Sequence, residues 1–143
     1  MKKLTALTLL LLLLCTVFSF GKSRERTTVL TEQFFTNLSA VSVLRRDEYI
    51  RRRLKGTISG TCIVKKTDAL PRYDQKYRII GTHTASGFTF HYYLFTGNKS
   101  LSRSVQAGKK FLFTGTFMSH TPLNMMKDAY IIDVKLSPPE NDD

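Results

Sequence analysis

The chain has 143 residues, with 22 Lys and Arg against 11 Asp and Glu, for a formal net charge of +11. With 42% hydrophobic residues and sixteen Phe and Tyr, it has the apolar content of a globular domain, not of a disordered basic tail. Length and composition exclude a collagen, a coiled coil, a multi-span membrane protein and a disulfide-stapled miniprotein, and leave room for one domain of ordinary size.

Met1-Lys2-Lys3 gives a short positive start and Leu4 to Phe20 an apolar run, followed by the small residues Ser19 and Gly21. This is the layout of a secretory signal covering residues 1–21, cut between Gly21 and Lys22. Two alternatives stay open: an uncleaved membrane anchor, and a lipoprotein attached through Cys15, to which the bulky Leu14 before that Cys is an objection. Lys22, Arg24 and Arg26 after the cut resist translocation. The expected location is the periplasm or the medium. A cleaved chain carries +9 and keeps only Cys62, which rules out an intrachain disulfide and points to a buried thiol or an intermolecular partner.

Residues 22–53 read as an N-terminal extension and helix. Phe34, Leu38, Val41 and Leu44 recur at helical spacing from a Thr31 cap to about Arg46, and Tyr49, Ile50 and Leu54 either continue the helix or lead into a strand. From Leu54 the period becomes two. Leu54, Ile58, Cys62 and Val64 share a face with Gly56 and Gly60, and glycine inside a strand predicts a bulge or bend. A polar loop, Lys65 to Lys76, follows, with Asp68 and Asp74 as turn formers. The second strand is Tyr77 to His83, and a tight turn at Thr84 to Gly87 leads to the third, Phe88 to Phe95. A short helix at Leu101 to Ala107, stopped by Gly108, precedes a fourth strand at Lys110 to Ser119. After a loop at His120 to Lys127 comes a fifth strand, Asp128 to Leu136, and residues 137–143 form an acidic tail. All four prolines fall outside these strands.

Five strands, a helix between the third and fourth, and a first strand bent at glycine resemble the OB-fold, a five-stranded antiparallel Greek-key barrel. The resemblance covers Leu54 to Leu136 and rests on element order, with Tyr130-Ile131-Ile132-Asp133-Val134 as a closing strand like those of small exported bacterial proteins of this class. It implies a mainly β fold with the N-terminal amphipathic helix packed on it. A helix on an ordinary antiparallel sheet is the alternative. The secreted thermonucleases share this outline, but their paired carboxylates have no counterpart here, because Tyr77 to Phe95 contains no acid.

No catalytic set, metal set or cofactor motif is present in the sequence: His83, His91 and His120 lie on separate strands or loops without ligand spacing. The basic surplus is the main functional signal. Arg45, Arg46, Arg51, Arg52, Arg53 and Lys55 form one cluster; Lys65, Lys66, Arg72, Lys76 and Arg78 form a second, around the first interstrand loop that also holds Tyr73. The resemblance places that loop beside a ligand face on the second and third strands, where His91, Tyr93 and Phe95 stack bases or sugar rings while the cations hold phosphate or sulfate. The competing expectation is that the helix buries Phe34, Leu38 and Val41 on that aromatic face, with the cations serving solubility or drawn to lipid headgroups. The function expected is therefore a non-enzymatic, exported binding module for an anionic partner: lipid headgroup, cell-envelope polymer, oligosaccharide or, less favoured after export, oligonucleotide. An envelope assembly protein and a hydrolase with an unrecognised site are the alternatives.

Overall fold

The computed structural model describes residues 26–138. The expected signal segment with Cys15, its expected cut between Gly21 and Lys22, and the end of the acidic tail lie outside the described residues. In chain order the elements are β1 (Thr28–Val29), α1 (Glu32–Ser39), a 3-10 turn (Val43–Arg45), α2 (Arg46–Arg53), β2 (Thr57–Ala69), β3 (Tyr77–Ala85), β4 (Phe88–Thr96), α3 (Lys99–Ser104), β5 (Lys110–Pro122) and β6 (Ala129–Leu136).

The strands form one sheet in the order β1-β2-β3-β4-β6-β5, and β2 also pairs with β5, so the sheet closes on itself. All long pairings are antiparallel except β4 with β6. The fold is mainly β with six strands, one more than expected. The extra strand, β1, is two residues long and runs parallel to β2. Closure and the parallel pair set this architecture apart from an ordinary antiparallel sheet.

Alternation decides what lies inside. Phe88, Phe90, Tyr92 and Leu94 of β4 are buried, and His91, Tyr93 and Phe95 between them are half-buried on the other face. Ile58, Cys62 and Val64 of β2, Ile79 of β3 and Tyr130, Ile132 and Val134 of β6 complete the interior. Cys62 is a buried free thiol that burial pushes up to about 11. Small residues let the strands approach: a Cβ at Gly81 would overlap the Cys62 sulfur, and one at Gly115 the Lys135 carbonyl. The hydrophobic core runs from Leu30 to Leu136, so residues 22–143 carry the whole closed sheet.

Four local expectations are corrected. The N-terminal helix is two helices: Ser39 bonds back to the Thr36 carbonyl, Ser42 is extended, and the chain restarts as helix at Arg46. The first long strand reaches Ala69, so Lys65 and Lys66 stand on β2 and not in a loop, and the bulge falls between Val64 and Lys66, not at Gly60. Gly60 instead admits Phe113 and Leu30 against the backbone. β5 runs past Ser119 to Pro122, which sits at the strand's last position, where a missing N–H is tolerated. The short helix begins at Lys99 and ends at Ser104, capped by the Asn98 Oδ1, which accepts from the Leu101 N–H at 3.0 Å. The β3–β4 turn is as tight as expected, with Ser86 and Gly87 at φ 50 and 81.

α1 and α3 lie at opposite ends of the β3–β4 pair. α1 buries Phe34, Phe35 and Leu38 near the turn, with the Phe35 ring edge-on to Phe90 at 4.9 Å and tilted against His83 at 5.2 Å. α3 follows Thr96, the end that pairs with Tyr77. Neither contact involves Tyr93 or Phe95; the helix takes the interior of β4, not its second face.

Candidate functional site

The outer face of β3 and β4, with β2 beside it, brings Arg78 and Lys66 of the second basic cluster together with the aromatics; the rest of the cluster lies on the β2 bulge and in the loop. Antiparallel register sets Arg78 opposite Phe95, Ile80 opposite Tyr93, and Thr82 opposite His91. On one flank β2 sets Asp68 opposite Arg78 and Lys66 opposite Ile80. On the other, β6 sets Ile131 beside His91, Asp133 beside Tyr93, and Lys135 beside Phe95. The result is a shallow apolar-aromatic stripe edged by charge.

Arg78 organises its centre. Its guanidinium lies 4.8 Å from the Tyr93 ring centroid and donates through Nη2 to Asp68 Oδ2 at 2.8 Å. Lys66 Nζ reaches the other Asp68 oxygen at 3.2 Å. The hydrogen bond from Arg78, reinforced by Lys66, holds the Asp68 carboxyl below its ordinary value. Asp68 is thus a strand residue that fixes two cations, a correction to its reading as a turn former. It partly neutralises them and helps hold Arg78 over Tyr93. The other cations are freer: Lys65 is exposed on the β2 bulge, and Arg72, Tyr73 and Lys76 lie exposed in the loop between β2 and β3. That loop is closed by the Leu70 N–H donating to the Lys76 carbonyl at 2.7 Å and by Lys76 Nζ reaching the Pro71 carbonyl at 3.4 Å. Tyr73 is 63% exposed, a second ring beside the stripe's loop end.

Sequence reasoning missed Ile80, Thr82, Ile131 and Lys135 as parts of this face. For Ile80 and Thr82 the signal was available, since they share parity with Arg78. For the β6 residues it was not, because the parallel β4–β6 pairing is non-local.

The first basic cluster is a separate structure. Arg26, Arg52, Arg53 and Lys55 line a cleft of about 620 Å³ with Tyr49 as an aromatic wall; Arg53 lies 5.5 Å from that ring and Arg52 pairs with Glu48 at 2.5 Å. Among the described residues, no group of three His, Cys, Asp or Glu comes together, and no helix is long and apolar enough to cross a membrane.

The sequence matches no protein-family model and no curated protein. Among solved structures, it is similar to DNA binding domain A of S. cerevisiae Replication Protein A, at 11% identity and a TM-score of 0.35, over 73% of this chain and 95% of that one.

Proposed function

We propose that this chain is an exported, non-enzymatic binding module built on an OB-type five-stranded Greek-key barrel, β2 to β6, whose β3–β4 outer face takes an anionic, ring-bearing polymer. The strand connectivity supports the barrel: five strands close through β2–β5, and α3 joins the third to the fourth. The observation that carries the function is Tyr93. It stays half-buried on the outer face under Arg78, flanked by Phe95 and His91, while α1 packs its aromatics against Phe90 on the inner face. Rings of a base or sugar stack there, and Lys65, Lys66, Arg72 and Lys76 meet phosphate or sulfate along the β2 side. Affinity falls steeply with salt, as for any binding driven by counterion release.

The test is binding of residues 22–143 to single-stranded DNA and to a sulfated glycan, at low and at physiological salt. Tyr93→Ala is expected to weaken the preferred polymer about fivefold to a hundredfold, the worth of one stacked ring. Lys65→Glu with Lys66→Glu is expected to weaken it more than Arg52→Glu with Arg53→Glu. Equal losses from the two pairs would leave diffuse charge in place of a groove. A larger loss from the arginine pair would move the site to the cleft at Tyr49.

A further inference from the structure

The loop between β5 and β6 presents large apolar side chains outward on a rigid frame. Met125 is 93% exposed, Met126 64% and Leu123 48%, and Leu44 of the 3-10 turn is 89% exposed. Arg46 ties the two segments together: its Nε donates to the Val41 carbonyl at 3.2 Å, and its Nη1 donates to the Met126 carbonyl at 2.9 Å and the Lys127 carbonyl at 3.4 Å. Lys127 Nζ pairs with Asp47 at 2.5 Å, and Lys127 itself adopts φ 51, a costly conformation for a side-chain-bearing residue. The Asn124 side chain bonds Asp128 in both directions, and the Leu123 N–H donates to the Ala129 carbonyl at 2.8 Å. A loop held by this many bonds does not expose two methionines through floppiness. Its geometry sends them outward.

We infer that this tip docks on the surface of an anionic lipid bilayer, with Met125, Met126, Leu123 and Leu44 entering the headgroup boundary. Two features select a bilayer over a protein partner. The apolar residues stand exposed on two turns joined through Arg46, so they present side-chain tips that a soft surface can take in. Exposed cations flank them: Arg45 follows Leu44 and Arg51 lies one helical turn after Asp47, while Lys127 is paired with Asp47 and Asp128 is held by Asn124, and the net charge of +11 adds attraction to anionic headgroups. Methionine suits this role because its flexible thioether packs against irregular neighbours. The inference uses none of the β3–β4 residues and stands whether or not that face binds a polymer.

The chain contains no Trp, so Met125→Trp makes a single-site reporter. Residues 22–143 carrying it are mixed at physiological salt with vesicles of phosphatidylcholine, with or without phosphatidylglycerol. The expected result is a blue shift of emission with the anionic vesicles only, and co-sedimentation of the unsubstituted protein with them. Leu44→Asp with Met125→Asp is expected to lower that partitioning by about tenfold or more, from the apolar burial lost at two residues. Tyr93→Ala leaves it within about twofold, which separates this site from the polymer face. The thermal midpoint of the double variant, unchanged from the parent because both residues are exposed, shows that the fold is intact. Co-sedimentation unaffected by the double variant, an unshifted reporter, or binding to neither vesicle would overturn the inference. So would a dimer in light scattering that the double variant abolishes without vesicle binding, which would assign the tip to a second copy of the chain.

Discussion

β4 has two faces of similar chemistry and opposite fate. Inward it carries Phe88, Phe90, Tyr92 and Leu94; outward it carries His91, Tyr93 and Phe95. Phe90 meets three aromatic rings on two other elements, with centroids 6.2 Å from Phe34, 4.9 Å from Phe35 and 5.7 Å from Tyr130. Tyr93 meets a guanidinium and the open side of the sheet. The helices decide the difference. α1 spends its apolar side at the turn end of the sheet, against Phe90, so the outer aromatics are left half-buried, with Arg78 over Tyr93. An aromatic face left open on a small domain invites a partner.

The sharpest way to break that contrast is to truncate both faces. Phe90→Ala removes the ring that joins α1 to the sheet and is expected to cost about 3–5 kcal/mol in chemical denaturation. Tyr93→Ala removes a ring of the same class three residues along the strand, and is expected to cost about 1 kcal/mol, the worth of its contact with Arg78, while changing polymer affinity much more. If Tyr93→Ala destabilised the protein as strongly as Phe90→Ala, the outer face would be a second core and the proposed binding role would fall.

A smaller effect sharpens the account of Arg78. Asp68→Asn keeps the size of the side chain but removes the charge that pins Arg78 and Lys66. Stability is expected to fall by about 1 kcal/mol, discounted because the pair is part-exposed. Affinity for an anionic polymer is expected to rise, because two cations lose their internal counter-ion. Reduced affinity would mean that holding Arg78 over Tyr93 matters more than freeing its charge.

Much of the fold was legible because it is local. Alternation along Phe88 to Phe95, the Ser86-Gly87 turn and the helix between the third and fourth strands are written in short windows. The closure of β2 on β5 and the parallel β4–β6 pair join distant segments, and only overall element order hinted at them. The two-residue β1 is below any periodic signal. The break between α1 and α2 was missed because Val41 and Leu44 continue the helical spacing that Ser39 and Ser42 interrupt by side-chain and backbone geometry. For the candidate site, residue types were readable and their surroundings were not. The face of α1 predicts that Phe34 and Leu38 are buried, but not which face of β4 receives them. The tip was hidden for the same reason, since Lys127 and Asp47 lie 80 residues apart.

The smallest expected effect concerns His120, whose imidazole is 14% exposed beneath the tip, 3.8 Å from Asp47 Oδ1, too far for a hydrogen bond. Burial lowers its pKa below the ordinary 6.5; the attraction of Asp47 opposes this, and Arg51 and Lys127 add to it. The unfolded chain therefore binds a proton at this position before the folded chain does. Stability from this group is complete above about pH 6.5, declines as pH falls below it, and levels off under the folded value. With one proton involved, the slope cannot exceed about 1.4 kcal/mol per pH unit. Denaturation midpoints followed from about pH 8 to about pH 5 should show this decline, and His120→Gln should flatten it. A decline of the same size in the variant would assign it to other groups. A rise in stability toward low pH that the variant removes would mean that protonated His120 closes on Asp47, which would tie the frame of the tip to acidity.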